Sequence, residues 1–277
     1  SDFGLIRFTE NGGLDESFGE AGVARADFAV STGGKIPRTS TDASTEITLL
    51  NDGNIVQVGS TGSGANFAMA RYAGLGNLDT TFGQDLDLDG VLDGKVITGF
   101  ILTQSDGTDI ASKDVAADVV VDGQGRIIVA GTASTSAKLN SGSAFAIARY
   151  ADTGELDATF GQAGKVTTDF LSGDSSYKGT GQEVSSVALD ATERILVAGF
   201  VYQGKYGAGT GYDFAVARYL SDAQPAPEDL QDIIDNLPPD TTDVDVTGNP
   251  STVDAWITAI GGDGTAENPG LPPNTSG

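Results

Sequence analysis

Short apolar runs separated by glycine-rich turns recur along the first 220 or so residues of the chain. The runs at 127–130 and 195–198 read Ile-Ile-Val-Ala and Ile-Leu-Val-Ala, whereas a strand covered on one face only would alternate apolar and polar side chains. Turn residues precede the first run at 122–125, where glycine accepts a positive φ without a steric clash. The pattern therefore predicts hairpin-connected strands that neighbouring sheets cover on both faces.

The chain contains internal repeats of four ordered segments. The first segment holds an aromatic residue, an arginine and a second aromatic residue at fixed positions, and its copies lie at 3–8, 67–72, 145–150 and 214–219. A Leu-Asp-x-x-Phe-Gly motif follows three of the copies, at 14–19, 78–83 and 156–161. A short strand pattern comes next, at 22–28, 94–100 and 164–170, and then a hairpin pattern, at 47–59, 119–131 and 187–199. Each repeat thus predicts four strands, the number in one propeller blade.

These ordered motifs resemble the delta-60 repeat, a bacterial β-propeller repeat of large exported proteins. The resemblance covers residues 1 to about 220, and it implies an exported setting and no enzymatic activity. We therefore predict an all-β fold of four-stranded antiparallel blades of β-propeller type, with about three repeats. An orphan strand is expected at 214–219, because no Leu-Asp-x-x-Phe-Gly motif follows that segment.

The composition changes after residue 220. The segment 221–277 holds all but one of the nine prolines and many acidic residues, and it contains no lysine or arginine. One short helix is predicted over 228–237, because its apolar residues lie on a single stripe at helical spacing. We therefore predict two regions, a repeat array over 1–220 and an acidic, proline-rich tail over 221–277 that acts as a linker or surface tether.

The charge of the chain limits its partners. With 39 acidic and 15 basic residues, the formal net charge is −24. Such a surface repels phosphate backbones and anionic lipids, so nucleic acid is not expected as a partner. No apolar stretch reaches the roughly 18 residues that a membrane-spanning helix needs, so no membrane insertion is expected. Cations, basic proteins and neutral polysaccharides remain as partners.

The chain has neither cysteine nor histidine. A thiolate nucleophile, a thiolate metal site and the usual Ser-His-Asp triad are therefore excluded. Carboxylate chemistry, as in a polysaccharide lyase or a glycosidase, is an alternative that the sequence does not favour, because carboxylates occur everywhere in so acidic a chain. We predict that the protein is not an enzyme.

One acidic segment has the spacing of a calcium loop. Carboxylates alternate along it before a glycine, Gly90, and a further acidic residue follows; the candidate ligands are Asp85, Asp87, Asp89 and Asp93. Alternate oxygens can surround a hard cation such as calcium, and the glycine permits a sharp turn. Val96 stands where a bidentate acid would complete the loop. The alternative is an acidic surface loop without an ion.

The repeated arginines predict a structural ion pair in each repeat. Each lies in an apolar strand pattern, and an aspartate follows eight residues later; the pairs are Arg7 with Asp15, Arg71 with Asp79, and Arg149 with Asp157. A buried guanidinium needs a carboxylate partner to offset its desolvation. We expect these pairs to stabilise the fold rather than to bind a ligand.

Two functions remain open. The first is a structural or assembly module of the bacterial cell surface or secretome. It would form homo-oligomers, rings or filaments by pairing its end strands, at 2–8 and 214–219, with another copy. The alternative is a calcium-dependent, polysaccharide- or protein-binding propeller of a larger adhesin. No signal peptide is visible, so we expect that a targeting segment was removed or that the chain is a fragment.

Overall fold

The computed structural model describes residues 1–29, 41–62, 66–103, 107–135, 142–170, 181–202 and 212–220. All regular structure in these ranges is β. The strands are β1 (Phe3–Ile6), β2 (Val23–Ala26), β3 (Ala43–Leu49), β4 (Ile55–Thr61), β5 (Asn66–Tyr72), β6 (Lys95–Thr98), β7 (Ile101–Thr103), β8 (Asp109–Ala111), β9 (Lys113–Val121), β10 (Ile127–Ser134), β11 (Ser143–Tyr150), β12 (Lys165–Thr168), β13 (Gly181–Leu189), β14 (Ile195–Tyr202) and β15 (Tyr212–Tyr219). The predicted tail over 221–277, with its helix over 228–237, lies outside the described residues.

Two sheets are complete four-stranded antiparallel meanders. Blade 1 has the order β3-β4-β5-β6, and blade 2 has the order β9-β10-β11-β12. A pair, β1-β2, precedes them and is called the half-blade here, while blade 3 consists of β13-β14-β15. A separate hairpin, β7-β8, stands between blades 1 and 2. The predicted all-β fold of propeller-type blades is confirmed.

The sequence repeat and the sheet differ in phase by two strands. The aromatic–arginine segment forms the third strand of a blade, as in β5, β11 and β15, because the preceding hairpin lies next to it in the chain and pairs with it. The segment at 214–219 is therefore not an orphan strand. It pairs with β14 from Ile195 opposite Tyr219 to Tyr202 opposite Tyr212. The expectation of a lone strand was wrong because it counted the repeat from the aromatic–arginine segment.

Blade 2 is covered on both faces, as its apolar runs predict. Ile127 and Val129 of β10 belong to one core cluster, which they share with residues of blade 1. Ile128 and Ala130, the alternate residues of the same strand, belong to a second cluster with blade 3. Burial of each such isoleucine or valine contributes about 1.5–3 kcal/mol, so stacking of the sheets is a main source of stability.

The half-blade packs on the other face of blade 1. Phe3, Phe18 and Phe28 form a third cluster there with Ile55 and Tyr72. The first strands of successive blades also approach one another, since β9 contacts both β3 and β13. The chain thus repeats one kind of sheet-to-sheet junction three times.

No helix in the described part of the chain is long and apolar enough to cross a lipid bilayer.

Candidate functional site

The predicted arginine–aspartate pairs are present in the first three repeats. Nε of Arg71 donates to Oδ2 of Asp79 over 2.8 Å, and Nε of Arg149 lies 2.9 Å from Oδ2 of Asp157. Burial alone would raise the pKa of Asp157, but hydrogen bonds from Thr159 and the charge of Arg149 outweigh it and hold that pKa below its usual value. Each guanidinium also lies over the phenylalanine of the Leu-Asp-x-x-Phe-Gly segment, which we call the motif loop, at 4.2–4.7 Å from the ring centre.

The same arginines reach across to the next blade. Nη1 of Arg7 donates to the carbonyl of Gly74 over 2.6 Å, and Nη1 of Arg71 donates to the carbonyl of Asp152 over 2.5 Å. Both acceptors lie in the turn after a third strand, at 73–77 in blade 1 and at 151–155 in blade 2, which we call the junction turns. The sequence does not reveal this second role, because any residue can supply a backbone carbonyl.

The motif loop and the junction turn also meet through backbone and glycine. The N–H of Gly19 donates to the carbonyl of Leu75 over 2.7 Å, and that of Gly83 donates to the carbonyl of Thr153 over 2.9 Å. Gly76 and Gly154, both with φ of +87°, lie so close to the preceding phenylalanine ring that an added Cβ would stand within 3 Å of ring carbons. Glycine is therefore required at this place both for the turn and for the docking.

Buried polar side chains join the sheets as well. The hydroxyl of Tyr150 donates to Oγ1 of Thr98 over 2.8 Å, and that of Tyr219 donates to Oγ1 of Thr168 over 2.7 Å. Burial raises the pKa of both tyrosines, so the hydroxyls stay neutral donors at any physiological pH. In addition, Nζ of Lys165 donates over 2.9 Å to the carbonyl of Gly99, in the connection that follows blade 1.

A buried acid or amide holds the end of each preceding fourth strand. Oδ2 of Asp114 accepts the N–H of Phe100 over 2.9 Å, and Oε1 of Gln182 accepts the N–H of Phe170 over 3.1 Å. Burial raises the pKa of Asp114 to about 6, against the opposing effects of its hydrogen bonds with Ser112 and the Phe100 N–H and of the charge of Lys165. The sequence hides this contact because the acceptor follows the phenylalanine by 14 residues in one case and by 12 in the other, and because an amide replaces the acid.

Three of the four predicted calcium ligands lie together. Carboxylate oxygens of Asp85, Asp87 and Asp89 lie within 4.8 Å of one another. Asp93 is not in this group: its Oδ2 accepts the N–H of Leu86 over 2.7 Å, and its Oδ1 lies 3.3 Å from Nζ of Lys95. Backbone N–H groups within the loop also occupy oxygens of the cluster. Calcium binding therefore stays a prediction.

The outer face of blade 3 exposes side chains that are buried in the other blades. Phe214 of β15 is 80% exposed, although its equivalents Phe67 and Phe145 are buried in the junctions that follow blades 1 and 2. Val216, two residues further along the same face, is also exposed. In the described part of the chain, this apolar sheet face has no further blade against it.

The half-blade, at the opposite end of the array, exposes the other kind of blade face. Phe8 is 59% exposed, whereas its equivalents Tyr72 and Tyr150 are fully buried. Ile6 is exposed on the same side of the half-blade, whose described strands correspond to the third and fourth strands of a blade. Leu49 of β3 is 72% exposed, because the first two strands that would lie against it are not among the described residues of the half-blade. Each end thus presents one half of a blade junction.

Part of the second blade is similar to a known family of domains. Residues 125–160, from the β9–β10 turn to the phenylalanine of the motif loop, match a domain of unknown function that is described as a β-propeller, DUF5122. This match confirms the resemblance to a bacterial β-propeller repeat over that segment. No curated protein matches the chain.

Proposed function

We propose that the chain is a non-catalytic structural module that assembles with other copies of itself through its two open blade faces. The observation that carries this proposal is the exposure of Phe214, in a position that is buried wherever another blade follows. Covering one such side chain stabilises a contact by about 1.5–3 kcal/mol. Stacking these two faces on those of other copies therefore lowers the free energy of the chain.

The two faces differ, so the contact is head-to-tail. Phe214 and Val216 lie on the side where a following blade packs, and Ile6 and Phe8 lie on the side where a preceding blade packs. A contact between unlike faces can propagate into a filament, or it can close into a ring if the rotation per copy permits. Unpaired edges of β1 and β15 within the described residues add a route for strand pairing.

We place this module outside the bacterial cell, secreted or on the surface. The resemblance to a repeat of exported proteins supports that setting, and the net charge of −24 keeps such an array soluble. The absence of histidine and cysteine supports a role without catalysis.

Sedimentation velocity over a range of protein concentrations tests the assembly. We expect the average mass to rise with concentration for the wild type and for the control Leu88→Ser, which removes a large exposed side chain from the acidic loop. Phe214→Ser and Phe8→Ser should each remain monomeric alone. Their mixture should form dimers and nothing larger, because each variant keeps the face that the other lacks. A wild type that stays monomeric at all concentrations contradicts the proposal.

A second candidate function is the calcium-dependent propeller of a larger adhesin, which would bind a polysaccharide or a protein. The observation in its favour is the cluster of Asp85, Asp87 and Asp89, whose exposed side could complete the coordination of a cation. In this alternative, calcium would order the loop at 85–93 for ligand binding. A glycan array probed with and without calcium tests it, and no bound glycan in either condition counts against it.

A further inference from the structure

We infer that residues 9–13 of the half-blade, called the receptor turn here, form a preformed docking site for a blade of this repeat that carries a complete motif loop. The inference goes beyond the proposed function, because it names a partner that fits the N-terminal face more completely than blade 3 of a second copy does. The partner must supply a third-strand arginine together with the phenylalanine and glycine of a Leu-Asp-x-x-Phe-Gly segment. Blade 3 of a second copy supplies only part of this set.

Two of the junctions, called the internal junctions here, have both their motif loop and their junction turn among the described residues, and they define what a receptor needs. In each, a junction turn offers two successive carbonyls, one to an arginine Nη1 and one to a glycine N–H. The next residue is a glycine with positive φ, against which the phenylalanine ring packs. The contacts are thus polar at two points and apolar at a third, which fixes the position of the incoming motif loop.

The receptor turn has the same backbone structure as the junction turns. Its Thr9 N–H donates to Gly13 over 2.8 Å, and its Gly12 N–H donates back to Thr9 over 2.9 Å. In blade 1, the corresponding hydrogen bonds are Ala73 to Asn77 over 2.8 Å and Gly76 to Ala73 over 2.7 Å. The φ of Gly12 is +80°, close to the +87° of its two equivalents. The turn therefore holds its docking geometry without a partner.

The receptor turn has no partner among the described residues. No heavy atom lies within 4 Å of a Cβ built on Gly12, whereas a phenylalanine ring occupies that space at both internal junctions. The carbonyls of Glu10 and Asn11 stand at the positions of the two acceptors, and no hydrogen bond between described residues uses them. Three recognition points that are filled twice elsewhere in the chain are open here.

The sequence of this chain distinguishes between possible partners. Arg218 of blade 3 is followed by Ser-Asp-Ala-Gln-Pro at 221–225 instead of a turn that leads to Leu-Asp-x-x-Phe-Gly. Docking of blade 3 from a second copy would therefore cover the apolar face of the half-blade and leave the glycine and the second carbonyl without their partners. A blade with the complete motif satisfies all three points, and its following hairpin would also cover Leu49.

Tandem chains test the inference. In the first tandem chain, a second copy of residues 113–212 is placed directly before Asp2 of the full chain. Asp2 then takes the place of Asp213, and a blade with a complete motif loop precedes the half-blade. A second tandem chain uses residues 43–144 joined to Phe3, in case one junction fails to fold. We expect both to unfold at higher temperature than the parent chain. Hydrogen exchange should slow at residues 9–13 and 47–49 relative to the parent.

A pair of glycine variants isolates the receptor turn. Gly12→Ala and the control Gly53→Ala introduce similar backbone strain, since their φ values are +80° and +85° and neither site has an atom within 4 Å. We expect Gly12→Ala to lower the melting temperature of the tandem chains by several degrees more than that of the parent. The control, introduced only at the Gly53 that follows the half-blade, should shift tandem and parent equally.

The outcomes separate this inference from the proposed function. Equal effects of Gly12→Ala in tandem and parent chains, or exchange at 9–13 that stays as fast as in the parent, overturn the inference even if the parent self-associates. Failure of both tandem chains to fold also counts against it, because a fitting blade should stabilise them. Protection in the tandem chains with a parent that never associates supports the inference and refutes self-assembly.

Discussion

Tyr150 of blade 2 donates its hydroxyl hydrogen bond to Thr98 of blade 1, across a junction that also buries a large apolar cluster. The same geometry joins Tyr219 to Thr168 at the next junction. A buried hydroxyl that loses its partner retains the cost of its desolvation, so this bond contributes through both of its ends. At these two junctions the tyrosine of the repeat is thus a connection between sheets as well as a core residue.

Tyr150→Phe should lower the free energy of unfolding by about 1–2 kcal/mol, because it leaves Thr98 Oγ1 buried and without a donor. Urea denaturation measures the change. Tyr150→Phe combined with Thr98→Val should recover part of the loss, since both ends are then apolar. An equal or larger loss in the double variant contradicts this account of the junction.

Asp157→Ala should destabilise the protein by roughly 3–5 kcal/mol, because it leaves the guanidinium of Arg149 buried without its carboxylate. The side chain of Arg149 is only 1% exposed, whereas that of Arg7 is 36% exposed. Asp15→Ala removes the same pair from the half-blade and serves as the matched control, for which water can replace the lost partner. Equal losses in the two variants, measured by urea denaturation, would show that burial does not set the strength of the pair.

Stability should fall as the pH rises from about 4 to about 6, through the contribution of Asp114. Its pKa in the folded protein, about 6, lies above the ordinary value of 3.8, so the folded state holds the proton more tightly and loses stability on ionisation. The shift corresponds to about 3 kcal/mol at most. Burial is the cause of this preference for the protonated form, and the hydrogen bonds with Ser112 and the Phe100 N–H and the charge of Lys165 offset it only in part.

Asp114→Asn should remove this part of the pH dependence. Asparagine can accept the Phe100 N–H and donate to Ser112 at every pH, and Gln182 already fills the equivalent place at the next junction. Unfolding free energies of wild type and variant, measured from pH 4 to 7, give the difference directly. A difference that does not change over this range would show that folding does not raise the pKa of Asp114.

Phe145→Ala and Phe214→Ala should differ strongly although the two residues occupy the same position in the repeat. Phe145 is fully buried, and its removal leaves a cavity that costs about 3–5 kcal/mol. Phe214 is mostly exposed, so its replacement should change the stability of the monomer by less than about 0.5 kcal/mol. Chemical denaturation at a concentration where the protein is monomeric tests the pair. A large loss for Phe214→Ala would mean that this face is covered within the monomer.

The sequence predicts that calcium binds the acidic loop at 85–93. Asp87→Asn should abolish this binding. Isothermal calorimetry measures the heat, and the melting temperature with and without calcium measures the linked stability. Asp93→Asn distinguishes two arrangements: an unchanged affinity fits its contacts with Leu86 and Lys95, and a lost affinity means that it turns toward the ion. If calcium produces neither binding heat nor a change of melting temperature in the wild type, the prediction is wrong.

The apolar pattern was enough to predict the sheets and their stacking, because Ile127 to Ala130 can only be buried on both faces if sheets lie on either side. The eight-residue spacing was enough to predict the ion pairs. The pattern did not predict which strand begins a blade. Strand pairing depends on which segment lies next to a hairpin, and the start of a sequence motif does not determine this.

The contacts that join the blades were also hidden from the sequence. Gly74 and Leu75 take part through carbonyl groups, which carry no residue signature. Asp114 escaped notice because Gln182 replaces it in the next repeat, at a different distance along the chain from the phenylalanine. Among these contacts, the sequence of the turns predicts only that the glycines have positive φ. It does not predict that a phenylalanine ring packs against them.

The two-strand offset between the repeated sequence and the folded sheet affects how such a protein can change in length. Each complete blade takes its first hairpin from one copy of the repeat and its last two strands from the next. Copying or deleting one repeat in the gene therefore adds or removes one blade, and no incomplete sheet remains at the point where the segments are joined. A cut at the edge of a folded blade, by contrast, divides two repeats. After the deletion of one repeat, the first hairpin of one blade pairs with the last two strands of another, and the remaining sheets are still complete.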